Sequence, residues 1–440
     1  MQKFLNNVGL LVPEVMLPDA NADFSKWAVV ACDQYTSQPE YWQKAREYIK
    51  DAPSTLDLML PEAFLDKPDE AQRIEAIRNN MRRYMDEGIL KPRKQGFVLV
   101  KRSVAGNTRL GLVVALDLEC YDYSKGSTML IRASEGTIVE RIPPRLRIRK
   151  GAPIELPHIL VLIDDPKRSV IEPLMDKACE LEKLYDTDLM LDGGHITGWL
   201  VSDDELIQGV IDALGVIASP EVFSAKYGDK APLLYAMGDG NHSFATAKAN
   251  WEQIKTTLTP KQRENHPARW ALVELENVHD EGIIFEPIHR VVFGMDGAKA
   301  IKKLTAILNE QNGGVSVTET RKLSAPEGGA SHKLPFVYKG HTGVIEVASP
   351  RQQLAVGTLQ AAIDMLIREN SGVSVDYIHG ADVVERLASE DKAVGFTLPA
   401  MEKSEFFDTV VYDGALPRKT FSMGEANEKR YYMECRLIEP

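Results

Sequence analysis

The chain is expected to fold as a mixed α/β protein, and three stretches carry that expectation. The first is Leu233–Lys248, where an apolar run ends at Met237, Gly238-Asp239-Gly240-Asn241-His242-Ser243 follows, and Ala-rich helical sequence begins at once. That order describes a buried strand, a tight turn and a helix start. The second is the pair Gly96–Val104 and Leu110–Leu118, two strand-like runs joined through Ala105-Gly106-Asn107, a hairpin signal. The third is a helix from about Asp69 to Glu87. Ile74, Ile77, Met81 and Tyr84 or Met85 form its apolar stripe, and Gly88 stops it.

In chain order, residues 1–65 read as loop-rich and contain the aromatic and acidic patch Ala31–Trp42. Asp33, Gln34, Tyr35 and Thr36 follow the apolar Ala28–Ala31, which fits a strand end lining a substrate site or an ordinary surface loop. His158–Ile163 reads as a short buried strand ending in Asp164-Asp165-Pro166, with helices expected near 169–185 and 203–214. Beyond the turn, strands are expected at about Trp270–Glu276 and Ile283–Phe293, then a helix over Gly297–Asn309. After a Gly-rich polar stretch between Ser324 and His332 come short strands near 335–339 and 343–347 and an apolar strand at Ala393–Leu398. Helices near 358–369, 380–388 and 400–408 complete the pattern. The expected division is 1–295, an α/β domain holding the turn, and 296–440, a second α/β domain packing back on it.

Composition narrows the classes. The 440 residues are enough for two or three domains with substantial cores, and 44% hydrophobic with 26% charged content is ordinary for a globular protein. No run of about 18 apolar residues stands out, so no membrane span is expected. Met1–Val8 lacks the apolar stretch of a secretory signal. Cys32, Cys120, Cys179 and Cys435 show no CxxC spacing, which points to reduced thiols and a cytoplasmic setting. A net charge of -12 argues against general nucleic-acid binding.

The Gly238–Ser243 turn is the leading candidate site. Its glycines relieve backbone crowding, Asn241 or Ser243 can cap the helix, and the first amides with the helix dipole favour a phosphate or carboxylate. Turns of this composition also occur throughout α/β proteins without binding anything. The turn is neither a Walker loop nor a dinucleotide fingerprint, because Gly-Lys-Ser/Thr and GxGxxG are absent. A second candidate is Arg141–Lys150, with five cations in ten residues. Its prolines at 143 and 144 argue against a helix, and Arg145, Arg147 and Arg149 alternate with Leu146 and Ile148 as in an extended cationic edge. Such a face either collects phosphate or discourages edge pairing.

Further polar clusters are Arg132, Glu135 and Thr137 around Gly136; Asp192 and His195 across a tight turn before Trp199; His289-Arg290; and Pro417-Arg418-Lys419-Thr420. In order and spacing, these elements resemble the domain-of-unknown-function family 1015, which is related to the ParB/sulfiredoxin-like superfamily that includes free-serine kinases. That family's Asp-Gly-His-His-Arg-like turn is matched by Asp239-Gly240-Asn241-His242-Ser243. Its Arg…Glu-x-Thr, Asp-Asp-Pro, acid-His-Trp, His-Arg and Pro-x-Lys-Thr/Ser elements are matched by the clusters above, over about residues 130 to 420. The resemblance implies a ParB/sulfiredoxin-like nucleotide-binding core with an N-terminal elaboration and a second α/β region. Two positions depart from it: Asn241 replaces a histidine, and Ser243 replaces an arginine that would have been a bidentate phosphate ligand.

Three functions follow as expectations. The first is phosphoryl transfer from ATP or ADP with Mg²⁺ to a small hydroxyl-bearing metabolite. There Gly240, Asn241, His242 and Ser243 hold phosphates, and Arg132, Thr137, His289, Arg290, Arg418 and Lys419 assist. Glu135, Asp239 and His242 carry the catalytic roles. The second is metal-dependent hydrolysis at Asp192, His195, Asp239 and His242. The third is nucleotide or metabolite sensing without turnover. Oligomeric state is not legible.

Overall fold

The computed structural model describes residues 7–440, so the opening segment Met1–Asn6, considered above for a leader, lies outside the described residues. The chain is mixed α/β and divides into two compact units. One runs up to Ile283 and takes back Met423–Pro440; the other is Ile284–Ser422. The division therefore falls ahead of the expected 295/296, and the C-terminal segment belongs to the first unit. Glycines stand beside both points, Gly282 and Gly424, but so do many others in the chain.

A ten-stranded mixed sheet organises the first unit. From one edge its strands are Glu182–Asp188, His195–Val201, Phe97–Val104, Asn107–Asp117, Trp270–Asn277, Leu160–Ile163, Tyr235–Asp239, Ile131–Arg132 and Tyr121–Asp122. Leu10–Leu11 pairs beside Asn107–Asp117. Leu160–Ile163 runs parallel to Trp270–Asn277 and antiparallel to Tyr235–Asp239. Both faces are buried. Leu99, Leu112, Val161, Met237 and Val273 enter one core cluster, while Val98, Val100, Val113, Ala115 and Leu272 enter another. Since alternate residues of a strand face opposite ways, two buried faces demand continuous apolar runs such as Phe97–Val100.

The expected hairpin forms as Phe97–Val104 and Asn107–Asp117, with Ala105 and Gly106 both at positive φ (50 and 83°), the twist a two-residue hairpin turn needs. The expected amphipathic helix spans Glu70–Asp86 and buries Ile74, Ile77, Met81 and Tyr84. Residues 7–65 hold more order than expected, since Pro39–Ile49 is a helix.

Three local expectations are corrected. Ile142–Arg149 is a helix, not an extended edge. Its two prolines occupy the first turn, where no intrahelical N–H is required and the fixed φ already suits a helix. The helix expected at 169–185 is only a short turn, Glu172–Met175, followed by the strand Glu182–Asp188 paired to His195–Val201. There sheet pairing overrides a pattern that locally resembles a helix. Finally, Asp204–Tyr227 does contain a stretch apolar enough to cross a membrane by length and composition. It is two helices, Asp204–Ile217 and Pro220–Tyr227, meeting where Ser219 caps the second. Ile207, Val210 and Leu214 of the first pack into the core.

The second unit holds a six-stranded antiparallel sheet in the order Val315–Thr320, His341–Val347, His332–Tyr338, Ala393–Phe396, His289–Phe293, Ser374–Ile378. Val315–Thr320 and Ser374–Ile378 were not foreseen. The first is largely exposed and lacks an apolar run. The expected strand Ile283–Phe293 divides into Phe285–Pro287 and His289–Phe293. Pro287 has no N–H to give to a ladder.

Candidate functional site

The turn forms as the residues dictate. Tyr235–Asp239 is a strand, Gly240 adopts φ 79° and ψ 25°, and Asn241–Lys255 is a helix. A Cβ on Gly240 would meet the Ile159 Cα at 3.1 Å. Gly240→Ala is therefore expected to lower unfolding stability by about 1–2 kcal/mol, as read by urea denaturation, because an L residue is strained there and the space is taken. Neither Asn241 nor Ser243 acts as a cap: Gly240 occupies the cap position and has no side chain to make a cap hydrogen bond.

Asn241 and His242 instead bind the loop that carries Glu135 and Thr137. Asn241 Oδ1 accepts from the Ser134 amide at 3.3 Å, Asn241 Nδ2 donates to Ser134 Oγ at 3.3 Å, and His242 Nε2 accepts from the Ile138 amide at 3.2 Å. The Arg…Glu-x-Thr element and the turn are thus neighbours. Arg132 itself is buried and gives its donors to the carbonyls of Met129, Ala231 and Pro232. It anchors backbone.

The cation at the turn is Lys429, whose Nζ lies 3.2 Å from Asp239 Oδ2, while Asp239 Oδ1 accepts from the Gly240 amide at 2.8 Å. Burial pushes the Asp239 carboxyl up, but Lys429, the Gly240 amide and His158 outweigh it and hold it below its ordinary value. Beside it runs a chain of hydrogen bonds. Ser243 Oγ lies 2.9 Å from His158 Nε2, and His158 Nδ1 lies 2.9 Å from the Tyr432 hydroxyl. The Cys32 amide donates to that same hydroxyl at 3.1 Å. Asp33, Arg145 and His158 are charge neighbours of Glu62, whose carboxyl is raised chiefly by burial. Cys32 and Asp33, and with them part of the N-terminal aromatic and acidic patch, therefore stand at this cluster.

The basic segment contributes differently from expectation. Arg145 pairs with Glu62, Arg147 with Glu70 and Asp66 at 2.9 and 3.0 Å, and Arg149 with Glu155. Its positive face is neutralised by acids of this chain, so it is not a phosphate-collecting surface.

The profile of a family described as a protein of unknown function, DUF1015, matches residues 16–366. The chain belongs to the DUF1015 family. No match was found among curated proteins. Among solved structures the chain is similar to a free serine kinase in complex with AMP, at 11% identity and TM-score 0.35, covering 74% of this chain and 91% of that one. It is also similar to a conserved hypothetical protein from Pyrococcus furiosus (11% identity, TM-score 0.33, covering 74% and 95%). A third similar structure is SbnI with C-terminal truncation from Staphylococcus aureus (11% identity, TM-score 0.34, covering 71% and 83%).

The DUF1015 match contains the turn and His158 but stops short of Lys429 and Tyr432, the site residues that sequence reading missed. The only local signal for them is Glu428-Lys-Arg-Tyr-Tyr432, polar and aromatic residues in a segment with no strong periodicity. His289, Arg290, Arg418 and Lys419 of this DUF1015 chain lie in the second unit. Arg290 is fully buried and donates to Gln360 Oε1 and to the carbonyls of Ile288, Arg418 and Lys419. His289 Nδ1 accepts from the Leu398 amide, and burial with Arg290 alongside lowers its pKa to about 4. Arg418 pairs with Asp364 at 2.7 Å. These residues hold loops together.

The metal set is likewise not assembled. Among the described residues no group of three or more His, Cys, Asp or Glu gathers to hold a metal ion. His195 is bound by Asp188 at 2.8 Å and Asp186 at 2.7 Å, and the Asp192 carbonyl accepts from Asn427. His195, Asp239 and His242 are instead held by Asp186 with Asp188, by Lys429 and by the Ile138 amide.

Proposed function

We propose that this DUF1015 protein binds a nucleotide or a phosphorylated metabolite at the Gly238–Ser243 turn and transfers phosphate to a small hydroxyl-bearing acceptor. The observation that supports the reading most is the start of the helix Asn241–Lys255, which no side chain caps, with Lys429 beside it at Asp239. The positive end of a 15-residue helix favours an anion, and a lysine adds a full charge. Asp239 is an ionised carboxylate in the same place. One such oxygen is enough for a Mg²⁺ held mainly by phosphate oxygens and water, so the donor set fits that ion. On binding, Lys429 would turn to the phosphate and Asp239 to the ion. Glu135 or Asp239 would orient the acceptor hydroxyl, with His242 at the phosphates.

Calorimetry with ADP and ATP, each with Mg²⁺, tests this directly. Lys429→Ala is expected to weaken binding about 10- to 100-fold, the worth of one hydrogen bond to a charged group. His242→Ala is expected to abolish it, because the histidine also holds the 134–138 loop at the turn. No heat with any nucleoside di- or triphosphate would defeat the reading. Binding without consumption over hours, across small alcohols and amino acids as acceptors, would make the protein a sensor.

A further inference from the structure

Ser243, where related turns carry arginine, has a partner that an arginine would not need. Three side chains from distant parts of the chain line up through it: Ser243 in the first turn of a helix, His158 just before a central strand, and Tyr432 in the C-terminal segment. Ser243 is half-buried and reachable, whereas His158 and Tyr432 are 8% and 2% exposed. Burial, with Cys32 nearby, holds the Tyr432 phenol well above its ordinary range, so the residue stays protonated. Its oxygen accepts from the Cys32 amide at 3.1 Å and lies 2.9 Å from His158 Nδ1. In the tautomer protonated at Nδ1, His158 donates to Tyr432, and its bare Nε2 accepts the Ser243 hydroxyl proton at 2.9 Å.

A nucleophile within reach of a base, and a base oriented by a third buried group, is the arrangement by which serine is activated. We infer that Ser243 Oγ is the first acceptor of the transferred phosphoryl group, with His158 as its general base and Tyr432 as the residue positioning His158. This rests on the reading that the turn holds a phosphoryl compound. In the first step the Oγ–P bond forms as the bond from phosphorus to the departing oxygen breaks. The Ser243 proton passes to His158 Nε2 and on to the leaving group. In the second step the acceptor hydroxyl attacks phosphorus and the Oγ–P bond breaks. The acceptor's proton travels through His158 back to Ser243.

The test uses the full chain and two probes. A fluorophosphonate needs no nucleotide and reports the nucleophile alone; ATP with Mg²⁺, followed by acid quench, reports phosphoryl transfer. Peptide mapping is expected to find both modifications on Ser243 and neither in Ser243→Ala. His158→Ala is expected to slow fluorophosphonate labelling on the order of 100-fold. Tyr432→Phe is expected to slow it and to move its pH profile, which a purely structural tyrosine would leave in place. Ser243→Cys, alkylated in a His158-dependent way, keeps the test open if an alanine variant folds poorly. Labelling of Ser243 that depends on His158 supports the nucleophile even if calorimetry finds no nucleotide binding. Labelling of no residue, or of another, overturns it. So does a folded Ser243→Ala that consumes nucleotide at the wild-type rate, a result that would leave the nucleotide reading standing.

Discussion

Replacing Arg430 by methionine is expected to lower unfolding stability by about 3–5 kcal/mol, the usual cost of leaving buried charge without its partner. Arg430 is 1% exposed and bridges Glu274 at 2.6 Å and Glu434 at 2.7 Å, both of them buried. The Tyr185 hydroxyl completes the group by donating to Glu434. Methionine fills much of the volume but leaves two carboxylates facing a sheet interior. Urea denaturation of the wild type and variant measures the difference. A loss under about 1 kcal/mol would show that water reaches these carboxylates, since exposed pairs contribute little. The same substitution is expected to weaken ligand binding at the turn, because Lys429 and Tyr432 sit on the segment that Arg430 ties down.

The second large effect is a pH dependence centred on Glu276. Its side chain is fully buried, with Oε1 2.8 Å from Arg109 Nε. Burial lifts its carboxyl to about 8, Arg109 pulls it down, and Glu274 and Asp280 push it up again. The unfolded chain releases this proton near the ordinary value of 4.5. The folded protein therefore binds a proton that the unfolded chain has lost, and the stabilisation is complete below that value. Unfolding free energy is expected to fall as pH rises through the interval up to about 8, with a slope approaching 1.4 kcal/mol per pH unit inside it. Glu276→Gln is expected to flatten this slope, because an amide cannot titrate. A wild-type slope no different from that of Glu276→Gln over the same interval would show the carboxylate ionised throughout and paired with Arg109.

Both effects arise in one polar layer beneath the site. Arg102 donates to the carbonyls of Gly193, Asn427 and Lys429, and Arg109 donates to that of Glu428. A β-sheet face carrying Glu274 and Glu276 cannot be covered by apolar chain alone, since buried carboxylates require donors. Arg109 on a neighbouring strand faces Glu276, and Arg430 of the segment 427–434 donates to Glu274, which brings Lys429 and Tyr432 to the turn. The geometry of the turn and fold stability are coupled through these residues.

The parts of the candidate site whose local structure is legible in the sequence are those made within one short stretch. Gly238–Ser243 announces its strand, turn and helix through neighbours a few positions apart, as do the hairpin at Ala105-Gly106 and the stripe from Ile74 to Met81. Charge was harder to read. Five cations in Arg141–Lys150 suggested a binding face, yet their counter-charges Glu62, Asp66, Glu70 and Glu155 come from other segments. Arg290 and Arg132 looked like phosphate ligands and turned out to serve carbonyls. An arginine's partner is a matter of what lies within about 3 Å in space, and sequence spacing says nothing of it.

For this protein the sequence by itself determined the mixed α/β class and the position of the turn, because backbone crowding and side-chain periodicity are local. The tertiary structure alone decided which side chains meet there. Ser243, His158 and Tyr432, like Asp239 and Lys429, become neighbours only when the C-terminal segment returns to cover a sheet face that holds buried acids.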